Sequence, residues 1–378
     1  MGPHHLGNVL ESAMKITRID VPDYEHVAKA EDPESGLKAF IAVHNTVLGP
    51  ALGGLRMWTY RHDEDALTDA LRLSRGMTFK SAVARTGLGG GKSVIIGNPN
   101  SDKTPELFQA MGKFVDSFNG KYITAEDVGV GIPDLLEARK FTKYVTGLSR
   151  ELGGSGNPSP YTALGCFEGV KASAQEAWGS EDLTGKVVAI QGPGNVGFPL
   201  GQQLVEAGAK LIVCDVNPKN VERARSELGA TVVTTEAIYD QECDIFSPCA
   251  LGAVLNDDTI PRLKCKVVAG AANNVLLDEN KHAQMVMDRG IVYAPDYVIN
   301  AGGIINVSLE LEPGGYDEPA AVAKIRNIHE ALGSIFETAR ERGITTHAAA
   351  QEVAERNLAE GAAKKADGAS EATAANPA

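Results

Sequence analysis

The chain has 378 residues, which suits two domains at roughly 100 to 200 residues each. It is 43% hydrophobic and 22% charged, the composition of a folded globular protein, which excludes a wholly disordered chain. Its formal net charge of -13 sets an average field that repels nucleic acid and acidic membrane surfaces.

In chain order, the leader MGPHHLGN holds His4 and His5 without any ligand spacing and is given no role. From Gly36, GLKAFIAVHNTVLGPALGG sets apolar and β-branched residues between glycine and proline, which predicts strands and a turn. DEDALTDALRLSRGMTFKSAVA opens on carboxylates and repeats apolar residues at Leu67, Ala70, Leu71 and Met77, so a helix is expected from Asp63. After the glycine run Gly89-Gly90-Gly91, SVIIGNP reads as a short buried strand. TPELFQAMGKFVDSFN then reads as a helix with proline in its first turn, and KYITAEDVG as a strand ending in carboxylates.

LSRELGGSGNPSPYTALG is rich in Gly, Ser and Pro, as connections between domains are. Beyond it, the helical pattern TALGCFEGVKASAQEAWG leads into KVVAIQ. Strand and helix patterns then alternate through LIVCDV, CDIFSPCA, KVVAGAAN and IVYAPDYVIN, which predicts a parallel, doubly wound sheet. EPAAVAKIRNIHEALGSIFETARERG reads as a last long helix, and GAAKKADGASEATAANPA as a low-complexity tail.

KVVAIQ runs directly into Gly192-Pro193-Gly194-Asn195-Val196-Gly197, and then into the helical pattern FPLGQQLVEAGA. Strand, glycine turn and helix in this order bring backbone N–H groups and a helix N-terminus to a pyrophosphate. The next strand pattern ends at Asp215, close to the roughly 20-residue spacing at which a carboxylate receives the adenosine ribose hydroxyls. A 2′-phosphate would meet that carboxylate with no arginine in VNP to offset it, so NAD is expected over NADP. Asp215 could also serve as a helix cap.

The segment GLGGGKS suggests a nucleotide P-loop, but the first glycine that motif requires is Thr86 here, and the chain leaves Ser93 in a strand pattern, not a helix. A lysine among glycines, kept from solvent and near a second cation, loses its proton more readily and can act as a base. Lys80 is the candidate second cation and Asp127 the candidate carboxylate partner. Together they would suit an amino acid: one ammonium for the α-carboxylate, one lysine to activate water, one carboxylate to move protons to nitrogen. Taken singly, each lysine reads more readily as a solvated surface charge.

The strings GPALGGLRMWTY, GMTFKSA, LGGGKSVIIG, YITAEDVG, GNPSP, GPGNVG, CALGAVLND and YAPDYVINAGGIINV resemble the glutamate/leucine/phenylalanine/valine dehydrogenase group, from about Glu34 to about residue 355. The resemblance is to its leucine-acting branch. It implies an α/β fold of two domains separated by a cleft. The N-terminal substrate and oligomerisation domain takes residues 1–148, and a doubly wound Rossmann-type NAD domain takes 149–335. A C-terminal helix over 336–360 returns to the first domain, and 361–378 form a disordered tail.

By the same resemblance Lys80 binds the substrate α-carboxylate, Lys92 is the catalytic lysine, and Asp127 transfers a proton to the substrate nitrogen. Gly53 and Gly54, in the ALGG turn, line the carboxylate end. Asn273 and Asn300 stand near cofactor and substrate, while Gly192, Pro193, Gly194, Asn195, Val196, Gly197 and Asp215 hold NAD. Pro193 and Gly197 stand where valine and alanine are common in the group, and GVGIPDL after Asp127 also departs from it.

Glutamate-specific members carry a lysine at the position of Leu52, and without it a buried γ-carboxylate would cost several kcal/mol. Leu52, Ala125, Ile304 and Val307 therefore imply an apolar, branched side chain. The implied reaction is oxidative deamination of leucine, isoleucine or valine to the 2-oxo acid and ammonia. Phenylalanine or tryptophan as substrate, or a non-catalytic NAD-binding regulator, stay open as alternatives. No apolar run is long enough to cross a bilayer. The five cysteines form an odd set without a zinc spacing, so a cytoplasmic protein without a metal or a membrane partner is expected. The resemblance implies a homo-oligomer.

Overall fold

The structure is a computed structural model that describes residues 14–374; the leader with His4 and His5 lies outside them. Contacts divide the chain into two units, Met1–Thr78 with Gly89–Leu148, and Phe79–Leu88 with Ser149–Ala378.

The first unit contains β1 (Lys15–Ile19), β2 (His26–Asp32), β3 (Leu37–Asn45) and β4 (Ala51–Trp58). The long helix α1 (Asp63–Val83) begins here and ends in the second unit; β5 (Gly89–Ile96), α2 (Pro105–Asp116), β6 (Tyr122–Glu126) and α3 (Ile132–Arg139) follow. The sheet order is β1-β2-β3-β5-β4-β6, antiparallel as far as β5 and parallel through β4 and β6. Strand periodicity divides the residues between two faces. Leu55, Met57 and Ile95 pack with Phe108, Met111 and Phe114 of α2 and Leu135 of α3. On the opposite face, Phe40, Ala42 and Val94 pack with Ala66 and Ala70 of α1.

Two local readings are corrected. The ALGG segment is strand, not turn, and so is the glycine run, since β4 starts at Ala51 and β5 at Gly89. Close packing gives the reason. A Cβ on Gly53 would lie 1.7 Å from the Gly91 carbonyl oxygen, one on Gly90 would lie 2.1 Å from the Thr78 nitrogen, and one on Gly91 would lie 2.6 Å from the Tyr122 ring. These glycines let strands and helix approach more closely than any side chain would allow.

The second unit contains α4 (Ser159–Trp178), β7 (Val187–Gln191), α5 (Gly197–Glu206), β8 (Lys210–Cys214), α6 (Pro218–Leu228), β9 (Thr231–Val232), β10 (Ile245–Pro248) and β11 (Val267–Val268). These are followed by α7 (Glu279–Asp288), β12 (Val292–Tyr293), α8 (Asp296–Ile299), α9 (Gly302–Ser308), α10 (Glu318–Arg326), α11 (Ile328–Arg342) and α12 (Thr346–Ala374). The strands pair in parallel in the order β12-β11-β10-β7-β8-β9, the doubly wound arrangement.

The expected helix over 318–343 is broken at Asn327, and α11 stops at Gly343, whose φ of 64° ends it in the left-handed region. The residues assigned to a tail from 361 continue α12 as far as Ala374, since the alanine-rich stretch sustains a helix as readily as disorder. Asn357 of α12 donates to the Ala82 carbonyl at 3.0 Å, so this helix packs on the last turn of α1, within the second unit.

Gly76 in α1 has nothing within 4 Å of an added Cβ, in contrast to Gly53. Gly76→Ala is expected to stabilise the protein by up to about 1 kcal/mol. Gly53→Ala is expected to destabilise it by at least about 1–3 kcal/mol. Urea midpoints of opposite sign would verify the packing account, and a neutral Gly53→Ala would refute it.

Candidate active site

Register places the site on one face of the first unit's sheet. Leu52 pairs with Gly90 and Ile123, Arg56 with Val94, and Gly54 with Ala125, so side chains at 52, 54 and 56 of β4, 92 and 94 of β5, and 125 of β6 share a face. Lys92 stands at its centre and is only 5% exposed. Its ammonium donates to the Asp127 carboxylate, just past the end of β6. Gly54 makes room for that carboxylate, because a Cβ there would lie 2.7 Å from the Asp127 Cβ. Asp127 also accepts from the Val128 N–H at 2.7 Å.

The second cation beside Lys92 is Arg56, which the sequence reading did not select. Its Nε lies 3.4 Å from Asp127 Oδ2, and its Nη1 donates to Asp69 Oδ2 at 2.9 Å, where the Tyr60 hydroxyl also donates. A sequence signal existed: once ALGGLRMW is a strand, positions 52, 54 and 56 fall on one face. Reading it as a turn removed that signal.

Burial lowers the pKa of Lys92; attraction to Asp127 opposes this, and Arg56 adds to the lowering. For Asp127, burial favours the neutral acid, but Lys92, Arg56 and the hydrogen bonds together outweigh it and hold the carboxylate below its usual range. A simple ion pair would raise the lysine instead. The two shifts agree once the carboxylate is shared: the guanidinium keeps its proton, so the ammonium is the cation that yields.

Lys80 belongs to the second unit. Its ammonium donates to Asn300 Oδ1 at 2.6 Å, and Asn300 Nδ2 donates to Asn273 Oδ1 at 2.6 Å and to the Ala271 carbonyl at 3.2 Å. The structure thus joins Lys80, Asn300 and Asn273 in one hydrogen-bonded chain, with Asn300 buried at its centre, 3% exposed, between a half-buried Lys80 and an exposed Asn273. Ile304 and Val307 lie nearby in sequence on α9, both buried in the same unit.

The GPGNVG turn connects the carboxyl end of β7 to α5, and the parallel strands β10 and β8 flank β7 on opposite sides, where the strand order of the sheet reverses. Gly192 has a φ of 94°, and a Cβ on Gly197 would lie 2.2 Å from the Gly192 carbonyl oxygen, so both positions require glycine. Gly194 is open, with nothing closer to an added Cβ than Asn220 Nδ2 at 3.8 Å, and leaves bare backbone for a phosphate. Pro193 is buried, and Asn195 and Val196 complete the turn. Asp215 follows β8, accepting from the Asn217 N–H at 2.8 Å and from Asn220 Nδ2 at 2.9 Å. The cap of α6 is Asn217, so Asp215 is not that helix cap. These residues fit a dinucleotide. Among the described residues, no group of three or more His, Cys, Asp or Glu could hold a metal, and no helix is long and apolar enough to cross a membrane.

Residues 24–141 match the family model for the Glu/Leu/Phe/Val dehydrogenase dimerisation domain, and 153–218 and 214–368 match that for Glutamate/Leucine/Phenylalanine/Valine dehydrogenase. The chain is 54% identical over 336 residues to a leucine dehydrogenase of Thermoactinomyces intermedius, spanning 89% of this chain and 91% of that one. It is 45% identical over 348 residues to a phenylalanine dehydrogenase of Caldalkalibacillus thermarum, spanning 91% and 93%. Among solved structures, the L-tryptophan dehydrogenase from Nostoc punctiforme is 46% identical with a TM-score of 0.80, over 90% of this chain and 97% of that one.

Arg56 lowers the Lys92 pKa, so Arg56→Gln should raise it. Labelling of Lys92 by an amine-selective reagent, followed by mass spectrometry across pH, should then begin at higher pH in the variant. An unchanged onset would mean that burial alone sets the lysine.

Proposed function

The chain belongs to the Glu/Leu/Phe/Val dehydrogenase family and is an amino acid dehydrogenase; we propose that it deaminates branched aliphatic L-amino acids, leucine foremost, with NAD as oxidant. The observation that carries this reading is Lys92, an almost fully buried lysine joined to Asp127 and driven toward its neutral form. A surface lysine has none of these properties.

When bound at the Gly192–Gly197 turn, NAD would accept the hydride from the substrate Cα. The protein's own residues account for the rest. Lys80 pairs with the α-carboxylate, its side chain held by Asn300. Neutral Lys92 removes a proton from water as the oxygen attacks the iminium carbon, which becomes the carbinolamine. The proton taken by Lys92 passes through Asp127, bonded to it, to the nitrogen; the C–N bond then breaks, ammonia leaves, and the hydroxyl proton returns to neutral Lys92 as the C=O of the 2-oxo acid forms. Leu52 and Ala125 give the site face an aliphatic lining, and Ile304 and Val307 are assigned to the substrate side chain. A homo-oligomer built on the first unit accords with the family description of that segment as a dimerisation domain. The free thiols accord with a reducing, cytoplasmic setting.

Initial rates of NADH formation with leucine, isoleucine, valine, phenylalanine, tryptophan and glutamate provide the test. Leucine, isoleucine and valine should be oxidised fastest, with glutamate slower by orders of magnitude. Lys92→Ala should lose about 10²–10⁴-fold in kcat while still binding NADH. Fastest turnover of an aromatic would keep the mechanism and overturn the leucine assignment. NADH binding without turnover on any of the six would leave a regulator. Deamination by the unaltered enzyme should rise with pH as Lys92 loses its proton, and because burial lowers that pKa, the rise should come below the range of an ordinary lysine.

Asp215→Ala removes the carboxylate that would repel a 2′-phosphate. The ratio of kcat/KM with NAD to that with NADP is expected to fall by about tenfold or more, equivalent to about 1.4 kcal/mol. An unchanged ratio would remove Asp215 from the cofactor site.

A further inference from the structure

Two thiols lie at the sheet edge opposite the glycine turn. β10 and β11 run in parallel with Ile245 beside Val267, and the segments leading into them keep that register toward their amino ends. The Lys266 N–H donates to the Asp244 carbonyl at 3.0 Å. Lys264 pairs with Glu242 at 2.8 Å and Arg262 with Asp240 at 2.7 Å, each across an offset of 22 residues. Cys243 and Cys265, also 22 residues apart, occupy the rung between the Glu242–Lys264 pair and the strands, and each thiol shifts the titration of the other.

Cys265 is buried in the core of this unit, while Cys243 packs against the same core and is partly exposed. Paired strands lie about 4.8 Å apart, and disulfides bridge Cα atoms about 4.4–6.8 Å apart. The ion pairs on one side and the strand hydrogen bonds on the other hold both segments in place, so closing the bridge needs little backbone movement.

The chemistry of the two thiols differs. The neighbouring Cys243 thiol lowers the pKa of Cys265 against the cost of burial, and the Phe246 backbone and the charge of Arg289 add to the lowering. The Cys265 thiol in turn raises Cys243, and burial adds to the rise. Burial pushes Cys214 up to about 11 and raises Cys166 and Cys249, leaving these three as inert thiols.

We propose that Cys243 and Cys265 form a reversible oxidation site, where a peroxide closes an intramolecular disulfide between β10 and β11. The Cys265 thiolate attacks a peroxide oxygen; the S–O bond forms, the O–O bond breaks, and hydroxide leaves with a proton from solvent as water. The Cys243 sulfur then attacks the resulting sulfenic sulfur, the S–S bond forms, and the departing hydroxide takes the Cys243 proton. Two thiols are oxidised, one hydrogen peroxide is reduced to two waters, and a dithiol reductant reverses the change.

The test treats the full-length protein with hydrogen peroxide, alkylates the remaining thiols with iodoacetamide, and maps unreduced peptides by mass spectrometry. The expected result is a Cys243–Cys265 linked peptide with Cys166, Cys214 and Cys249 alkylated, and its disappearance after dithiothreitol. In Cys243→Ser, Cys265 should accumulate as a sulfenic acid trapped by dimedone. Alkylation of both cysteines in the treated wild type would overturn the proposal, as would a link to any other cysteine or between chains.

Discussion

The site rests on a single carboxylate shared by two cations on a sheet face from which side chains have been removed. Asp127 takes charge from both Lys92 and Arg56, and only one of these can give up a proton. Burial decides which. Lys92 loses its hydration and its pKa falls, while the guanidinium keeps its charge and is anchored by Asp69. The result is a lysine of lowered pKa bonded to a carboxylate beside a fixed positive charge, an arrangement that suits the proposed general acid/base pair. A lone buried lysine would lack the acceptor, and an exposed pair would be buffered by water.

The glycines of the two units do different physical work. In GLGGGKS, Gly89, Gly90 and Gly91 are strand residues with no space for a Cβ, and they bring β5 close to β4 and α1 so that Lys92 is enclosed. In GPGNVG, Gly192 turns the chain at a φ of 94° and Gly194 presents open backbone, as a phosphate site requires. Both stretches read alike by composition. What separates them is the element that follows: strand after Lys92, helix after Gly197.

That difference was legible in the sequence, and so was the second unit, because a strand-turn-helix unit with a carboxylate after the next strand is defined locally. Lys92 and Asp127 were paired from their residue types and flanks, and the structure joins them directly. Arg56 was not legible, because its proximity depends on which face of β4 it occupies, and reading Leu52 to Gly54 as a turn hid that face. Lys80 was placed beside Lys92 as its second cation. Helix α1 runs from one unit into the other, so nearness in sequence does not fix which unit Lys80 joins. The long helix expected over 318–343 is two helices, because Asn327 divides α10 from α11 within an apolar pattern that is otherwise continuous, and Gly343 in the left-handed region ends α11.

The same charge arrangement bears on which amino acid is accepted. The cationic side chains that β4 and β5 place on the site face are Arg56 and Lys92, and both are committed, Arg56 to Asp69 and Asp127, Lys92 to Asp127. Their neighbours on that face are Leu52, Gly54 and Ala125, which offer no donor from their side chains. A substrate with a second carboxylate would have to be desolvated there without a partner, or would draw a cation away from Asp127 and break the acid/base pair. If this face receives the substrate side chain, as proposed, either outcome would cost several kcal/mol, enough to separate glutamate from apolar amino acids by orders of magnitude. Among apolar side chains no such penalty exists. A methylene is worth only about 1–3 kcal/mol, so leucine and aromatic specificities can diverge within one family through changes in shape alone. Relatives at 45–54% identity carry the names of leucine, phenylalanine and tryptophan dehydrogenases, as this asymmetry would allow.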